Sequence, residues 1–223
     1  MNNLPFKQQN CRHLFITRYT HYMTEIEIKA HVYDRDTLLK KLREFAAYSQ
    51  TVERYDTYYH LYTENALPNG KPYISCRIRK ELNKTAEGVR ETVFLTYKKK
   101  ESLSSDPKKA VEVNDEKETV ISCTEAVISL LSDIGFKEAH RKTKKVMDFT
   151  TETEFGTATL ELCNVEKLGD FLEIEILSES SDEKIVESIK TELKKLLEKS
   201  GIPESQIEPK YYTQMLRELA EKT

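Results

Sequence analysis

Glycine is scarce and scattered in this 223-residue chain. The six glycines are Gly70, Gly88, Gly135, Gly156, Gly169 and Gly201, and no GxGxxG or GxxxxGK[ST] loop can be assembled from them. Without such loops the backbone offers no phosphate cradle of the dinucleotide-binding or P-loop kind, so any phosphate must be met by side chains. The four cysteines, Cys11, Cys76, Cys123 and Cys163, form no CxxC pair, which argues against a zinc knuckle or a thioredoxin-type site and for reduced thiols. His13, His21, His31, His60 and His140 lack ligand spacing, and no Ser/His/Asp or Cys/His motif is present. No apolar stretch approaches the roughly 18 residues of a membrane span, and residues 1–22 are too polar for a signal-peptide core. Neither charge sign dominates: 35 basic and 38 acidic side chains leave −3, so no basic domain points to nucleic acid. A cytoplasmic protein with neither a membrane nor a nucleic acid as partner is the expectation.

What is present is strand alternation. Residues 1–22 carry no period and read as a disordered extension or a start assigned upstream of Met23, where alternation begins. Glu25 to Lys29 alternates with period two, and a helix capped by Asp36 follows, with Leu38, Leu39, Leu42, Phe45 and Ala46 on one face. Strands are predicted at Val52–Tyr62, Tyr73–Lys80, Thr92–Lys99, Lys109–Asn114, Arg141–Thr150, Thr157–Cys163 and Phe171–Leu177. A helix from about Ser122 to Ile134 carries Val127, Leu130, Leu131 and Ile134 on one face, with Gly135 in the C′ place. A longer one from about Ser181 to Lys199 carries the stripe Ile185, Ile189, Leu193, Leu196 and Leu197, and Tyr211–Glu221 reads as a short terminal helix. The sum is an α+β fold of about eight strands, a number at which a sheet commonly closes into a barrel.

The strands place charge on one face and apolar residues on the other. Glu25, Glu27 and Lys29 oppose Ile26 and Ile28; Arg77 and Arg79 oppose Ile78; Glu173 and Glu175 oppose Ile174 and Ile176. A single strand of this kind is ordinarily half-solvated. Recurrence in three distant segments, with both signs, instead implies helices covering the isoleucine faces and charges pointing inward. Inward ions must be neutralised, since each unpaired one costs several kcal/mol. Clustered carboxylates suit Mg²⁺ or Mn²⁺, and Arg and Lys suit a polyanion, so the lumen implies a metal-bound phosphate substrate. The tyrosines read first as strand formers; for Tyr58 and Tyr59 core packing is preferred, with contact to a nucleobase as the alternative.

Glu25-Ile26-Glu27-Ile28-Lys29 resembles the ExExK signature of the CYTH family, the triphosphate tunnel metalloenzymes. It is joined by Asp56-Thr57-Tyr58-Tyr59, Arg77-Ile78-Arg79, Thr96-Tyr97-Lys98 and Lys142-Thr143-Lys144. Leu168-Gly169-Asp170-Phe171-Leu172-Glu173-Ile174-Glu175 is similar to the LGxFxExE segment of the class IV adenylyl cyclase branch. The resemblance implies a triphosphate-tunnel domain over residues 23–223: an eight-stranded antiparallel β-barrel with helices packed outside. It implies Glu25, Glu27, Glu173 and Glu175 as metal ligands. Lys29, Arg77, Arg79, Lys98, Lys142 and Lys144 would grip phosphate oxygens, with Lys29 and Glu27 at the catalytic position. The implied activity is class IV cyclase-like, ATP to cyclic AMP and pyrophosphate; a tripolyphosphate or organic triphosphatase and a non-catalytic polyphosphate-binding module are the alternatives. Mg²⁺ or Mn²⁺ is the expected cofactor, and a homodimer the assembly to test. The chain departs from the family pattern at Cys163, where many relatives carry Asp, with Glu161 as a substitute carboxylate on the same face. It departs also at Ala110 and Lys144, both arginine in many relatives, and at Tyr211-Tyr212, a Ser-Tyr pair in relatives.

Overall fold

The computed structural model describes residues 24–62, 74–85, 88–99 and 111–222, with the side chains of 98–99 and 111–116 not included. The expectation for residues 1–22 therefore lies outside the described residues. The elements run β1 (Thr24–His31), α1 (Arg35–Phe45), β2 (Ala47–Leu61), β3 (Ile74–Thr85), β4 (Gly88–Lys99) and β5 (Val111–Val120). They continue with α2 (Thr124–Asp133), β6 (Lys137–Thr153), β7 (Gly156–Val165), β8 (Gly169–Ser178), α3 (Glu183–Lys199) and α4 (Tyr212–Ala220).

Eight strands pair antiparallel in the order β1-β5-β4-β3-β2-β6-β7-β8, and β8 returns to β1 to close the barrel. Closure removes both sheet edges and gives the strands an enclosed face. The outer face obeys the isoleucine alternation. Ile26, Ile28, Ile174 and Ile176 are at most 1% exposed and pack with Val186, Ile189, Leu193, Leu196 and Leu197 of α3 in the main core. Each such side chain contributes about 1.5–3 kcal/mol by leaving water. A second helix covers the opposite wall, where Tyr59, Cys76 and Ile78 lie under Leu131 of α2.

Three local expectations are corrected. Asp34, not Asp36, is the α1 N-cap, its carboxylate accepting from the Thr37 backbone N–H at 3.0 Å; Asp36 sits in the first turn, where its charge complements the helix dipole. On α2 only Leu131 is buried, while Leu130 and Ile134 are 60% and 55% exposed. A 10-residue helix laid over a curved wall meets it along one narrow line. On α3 the buried line runs through Val186, and Ile185 faces outward at 40% exposure. Gly135 does end α2: at φ +95° it takes the left-handed conformation, and Phe136 N–H closes onto the Leu131 carbonyl at 2.8 Å.

Candidate active site

The lumen is ionic, as the alternation requires. Lys29, Arg54, Asp56, Lys142, Lys144, Asp148 and Glu173 are all buried. Arg54 on β2 is the hub of one network. Its Nε donates to Glu81 on β3 at 2.8 Å, one terminal nitrogen donates to Glu161 on β7 at 2.5 Å, and the other lies 3.5 Å from Asp148 on β6. Glu161 also accepts from Lys144 at 2.7 Å, and Lys144 reaches across to Glu173 on β8. Burial alone would lift the Glu161 carboxyl, but the Arg54 and Lys144 cations outweigh it and hold the group well below the usual carboxylate range. Burial would likewise depress Lys144; Glu161 and Glu173 overcome it and raise its pKa. Asp148 is the exception. Burial, with repulsion from Glu161, raises its pKa, only partly offset by Arg54 and by a 2.8 Å hydrogen bond from Gln50.

A second group is dominated by cations. Asp56 stands opposite Arg79 in the β2–β3 register and accepts from it twice, at 2.7 and 3.0 Å, with Lys142 Nζ 3.2 Å away. Arg79, Lys142 and the nearby Arg77 overcome burial and drive the Asp56 pKa well below its ordinary value. Arg77 donates to Thr96 Oγ1 at 3.1 Å, and Thr96 donates to Glu118 on β5 at 2.7 Å. Arg79, Lys142 and Arg77 thus gather around Asp56, with Glu118 3.5 Å from Arg77 as a second carboxylate. Lys142 connects this group to the far wall, because its Nζ and that of Lys29 both lie over the Tyr212 ring, 5.0 and 4.5 Å from its centre. Lys144 faces the same ring at 5.9 Å, and Lys29 Nζ donates to the Lys210 carbonyl at 2.5 Å. Lys98 stands on β4 opposite Ser75 and Glu116, with its side chain outside the described residues.

The acidic positions occupy the next level. Glu27 is opposite Glu175 on β8 and Glu112 on β5, so three adjacent strands present a glutamate position at one height. One oxygen of Glu25 is buried without a hydrogen-bond partner. Glu173 sits two pairs along on the same face, opposite Lys29. This all-oxygen set suits a hard cation such as Mg²⁺, which commonly takes one or two carboxylates and completes its shell with water and substrate phosphate. Among the described residues, no three His, Cys, Asp or Glu side chains are grouped closely enough to hold a metal ion by themselves. The fit to the expected metal is one of donor chemistry, carboxylate oxygens for a hard cation.

Sequence reading did not single out Arg54, Glu81, Glu118 or Asp148, and it gave Tyr212 no contact with the lysines. Arg54 could have been found, because Arg54 and Asp56 continue the ionic alternation of β2. Tyr212 lies on a helix far along the chain, and nothing local indicates that its hydroxyl sits 3.5 Å from Cys163 Sγ or that its ring meets Phe171 edge to face at 4.9 Å. Cys163 is fully buried in the lumen, with burial pushing its thiol up to about 12. Glu161, the proposed stand-in for the missing acid, does face the lumen, engaged by Arg54 and Lys144. Ala110 lies outside the described residues.

Residues 23–212 match the family model described as CYTH domain. Among solved structures, the PH1819 protein from Pyrococcus horikoshii OT3 is similar at 25% identity and TM-score 0.68, over 87% of this chain and 98% of that one. A protein from Vibrio parahaemolyticus described as a candidate adenylate cyclase shares the fold, at 16% identity and TM-score 0.65, over 86% of this chain and 97% of that one. HpAC1 from Hippeastrum, for which a dominant triphosphatase activity is described, also shares the fold, at 18% identity and TM-score 0.52, over 88% and 95% of the two chains. No curated protein matches. Among the described residues, no helix is long and apolar enough to cross a membrane.

Proposed function

The chain belongs to the CYTH domain family of triphosphate tunnel enzymes, and on that premise we propose that it is a divalent-metal-dependent enzyme whose tunnel holds a triphosphate for cyclase-type chemistry. The observation that carries this reading is the gathering of cations around Asp56. Arg79 and Lys142 share that carboxylate, and Arg77, 3.5 Å from Glu118, stands beside them, an arrangement that favours a polyanion arriving with several negative oxygens.

Each residue has a task in this reading. Arg79, fixed by its paired hydrogen bonds to Asp56, keeps its remaining N–H groups for phosphate, while Lys142 and Lys29 supply compact point charges from the facing walls. Lys144, clamped between Glu161 and Glu173, holds Glu173 beside the glutamate level and leaves phosphate contact chiefly to its neighbours. Glu27 and Glu175, with Glu25 and Glu173 in support, would hold Mg²⁺ or Mn²⁺. Bound there, the cation would supply Lewis-acid charge stabilisation and orient phosphate oxygens. Preorganised cations in a closed barrel stabilise charge that shifts onto phosphate oxygens as a bond to phosphorus breaks. In the cyclase reaction the ribose 3′-hydroxyl of ATP attacks the α-phosphorus, cyclic AMP forms and pyrophosphate leaves. Hydrolysis is the second reading, favoured by the triphosphatase activity described for HpAC1, a neighbour in fold; there water attacks a phosphorus and phosphate or pyrophosphate departs.

Incubation with ATP or tripolyphosphate in Mg²⁺ or Mn²⁺, repeated in EDTA, tests the proposal by product identification. Metal-dependent cyclic AMP and pyrophosphate are expected. Phosphate release without cyclic AMP would replace cyclase by triphosphatase chemistry, and tight binding without any product would reduce the protein to a polyphosphate-binding module.

A further inference from the structure

The lumen-facing side chains of β2 change character toward the end of the barrel at which β2 stops and β6 starts. Arg54 and Asp56 are ionic and buried; the next alternate positions, Tyr58, His60 and Tyr62, are aromatic and reach the rim. Tyr58 pairs across to His140 on β6, and the two rings stack with centroids 4.3 Å apart and planes 20° from parallel. His60 meets His140 edge to face at 5.5 Å and Tyr62 at 5.9 Å. The cationic group lies directly below. Arg77 stands opposite Tyr58 on β3, and Lys142 Nζ is 5.8 Å from the Tyr58 ring centre.

Core packing does not account for this cluster. Tyr59, next in sequence, points outward into the apolar cluster under α2, whereas Tyr58, His60 and His140 are half-buried on the face that elsewhere carries ions. Inorganic tripolyphosphate offers nothing to such a surface; a triphosphate ester carrying a flat ring does. We infer that Tyr58, His60 and His140 form a subsite for the heteroaromatic base of a nucleoside triphosphate whose phosphates lie deeper, on Arg77, Arg79 and Lys142. The inference rests on the triphosphate reading of the tunnel and narrows its substrate class to nucleotides over inorganic chains.

Two further observations fit. His140 is held neutral, its pKa pulled down to about 4 by burial and by the neighbouring His60 and Lys142, so it is a flat, uncharged stacking partner. Its Nε2 is buried with no hydrogen-bond partner, a polar edge that a base nitrogen or amino group can satisfy. Stacking and a single hydrogen bond are how side chains commonly hold an unpaired base.

The test compares ATP with ribose 5-triphosphate, which keeps the sugar and the triphosphate charge and lacks only the base. Equilibrium binding to the full chain is measured in EDTA, which blocks metal-dependent turnover, and repeated in Mg²⁺. Wild-type protein should bind ATP about tenfold more tightly, the size of one base–aromatic stacking contact. His140→Ala and His60→Ala should each bring ATP toward the affinity of ribose 5-triphosphate, and His140→Phe should retain most of the difference. Equal wild-type affinities would overturn the subsite while leaving the tunnel reading intact, and this comparison needs no variant to fold. Equal weakening of both ligands in the alanine variants would also overturn it. Failure of the wild type to bind either ligand, with or without Mg²⁺, would overturn the triphosphate reading and the subsite with it.

Discussion

Replacing Asp56 by Asn isolates the balance between fold stability and anion affinity. The carboxylate has no exposed side-chain surface, accepts two hydrogen bonds from Arg79 and lies 3.2 Å from Lys142. Neutralising it leaves two buried cations facing an amide, and breaking a buried pair from one side costs about 3–5 kcal/mol. Asn keeps the shape and one acceptor, so the lower end applies. At about 2–4 °C per kcal/mol for a chain of this size, Tm should fall by about 6–12 °C. The pH dependence has a definite sign. The folded pKa of Asp56 is depressed, so its contribution is fully present above the unfolded carboxyl value and lost as pH falls through the folded one. The Tm gap between wild type and variant should hold from pH 7 to about 5 and narrow below about 4. Tripolyphosphate should raise the Tm of the variant more than that of the wild type, because added anion replaces the missing charge. Thermal scans with and without tripolyphosphate measure all three. A variant within about 2 °C of wild type at pH 7 would refute the view that Asp56 is what neutralises Arg79 and Lys142.

Glu27→Gln should lower metal-dependent turnover by on the order of 10² or more, since the charge presented to the cation is lost; wild-type turnover would remove Glu27 from the metal site. Arg77→Ala should raise the apparent KM for the triphosphate more than it lowers kcat, and an unchanged KM would count against its phosphate contact. In native protein at pH 8, iodoacetamide followed by peptide mapping should modify the exposed Cys123 far faster than Cys76 or Cys163. Burial pushes those two thiols up to about 11 and about 12. Comparable labelling of Cys163 would show that the lumen opens readily.

Much of this arrangement was legible because period two is a local property. Glu25, Glu27 and Lys29 announce their shared face within five residues, and Ile26 and Ile28 announce the opposite one; the barrel supplies α3 to cover the isoleucines. Partners were not legible. That Lys144 is shared by Glu161 and Glu173, or that Arg54 joins β3, β6 and β7 through three carboxylates, depends on register between distant strands. The helices misled where they lie on curvature. Leu130 and Ile134 follow helical spacing as faithfully as Leu131, yet the wall beneath α2 takes up Leu131 and part of Val127 and leaves those two exposed. The Asp34 cap was missed for a different reason: Asp34 and Asp36 are equivalent by composition, and only backbone geometry distinguishes them.

The pairing of Thr24–His31 with Gly169–Ser178 carries a consequence for biosynthesis. The earliest strand of the sheet must wait for one made some 150 residues later, so the ring cannot seal while the ribosome is still reading its middle. Until then the growing chain holds an open ribbon with bare hydrogen-bonding margins, able to recruit strands from neighbouring chains. Contacts this distant in sequence also form slowly. Dilute refolding, which keeps neighbouring chains apart until the ring seals, will therefore favour soluble material over tangled aggregate.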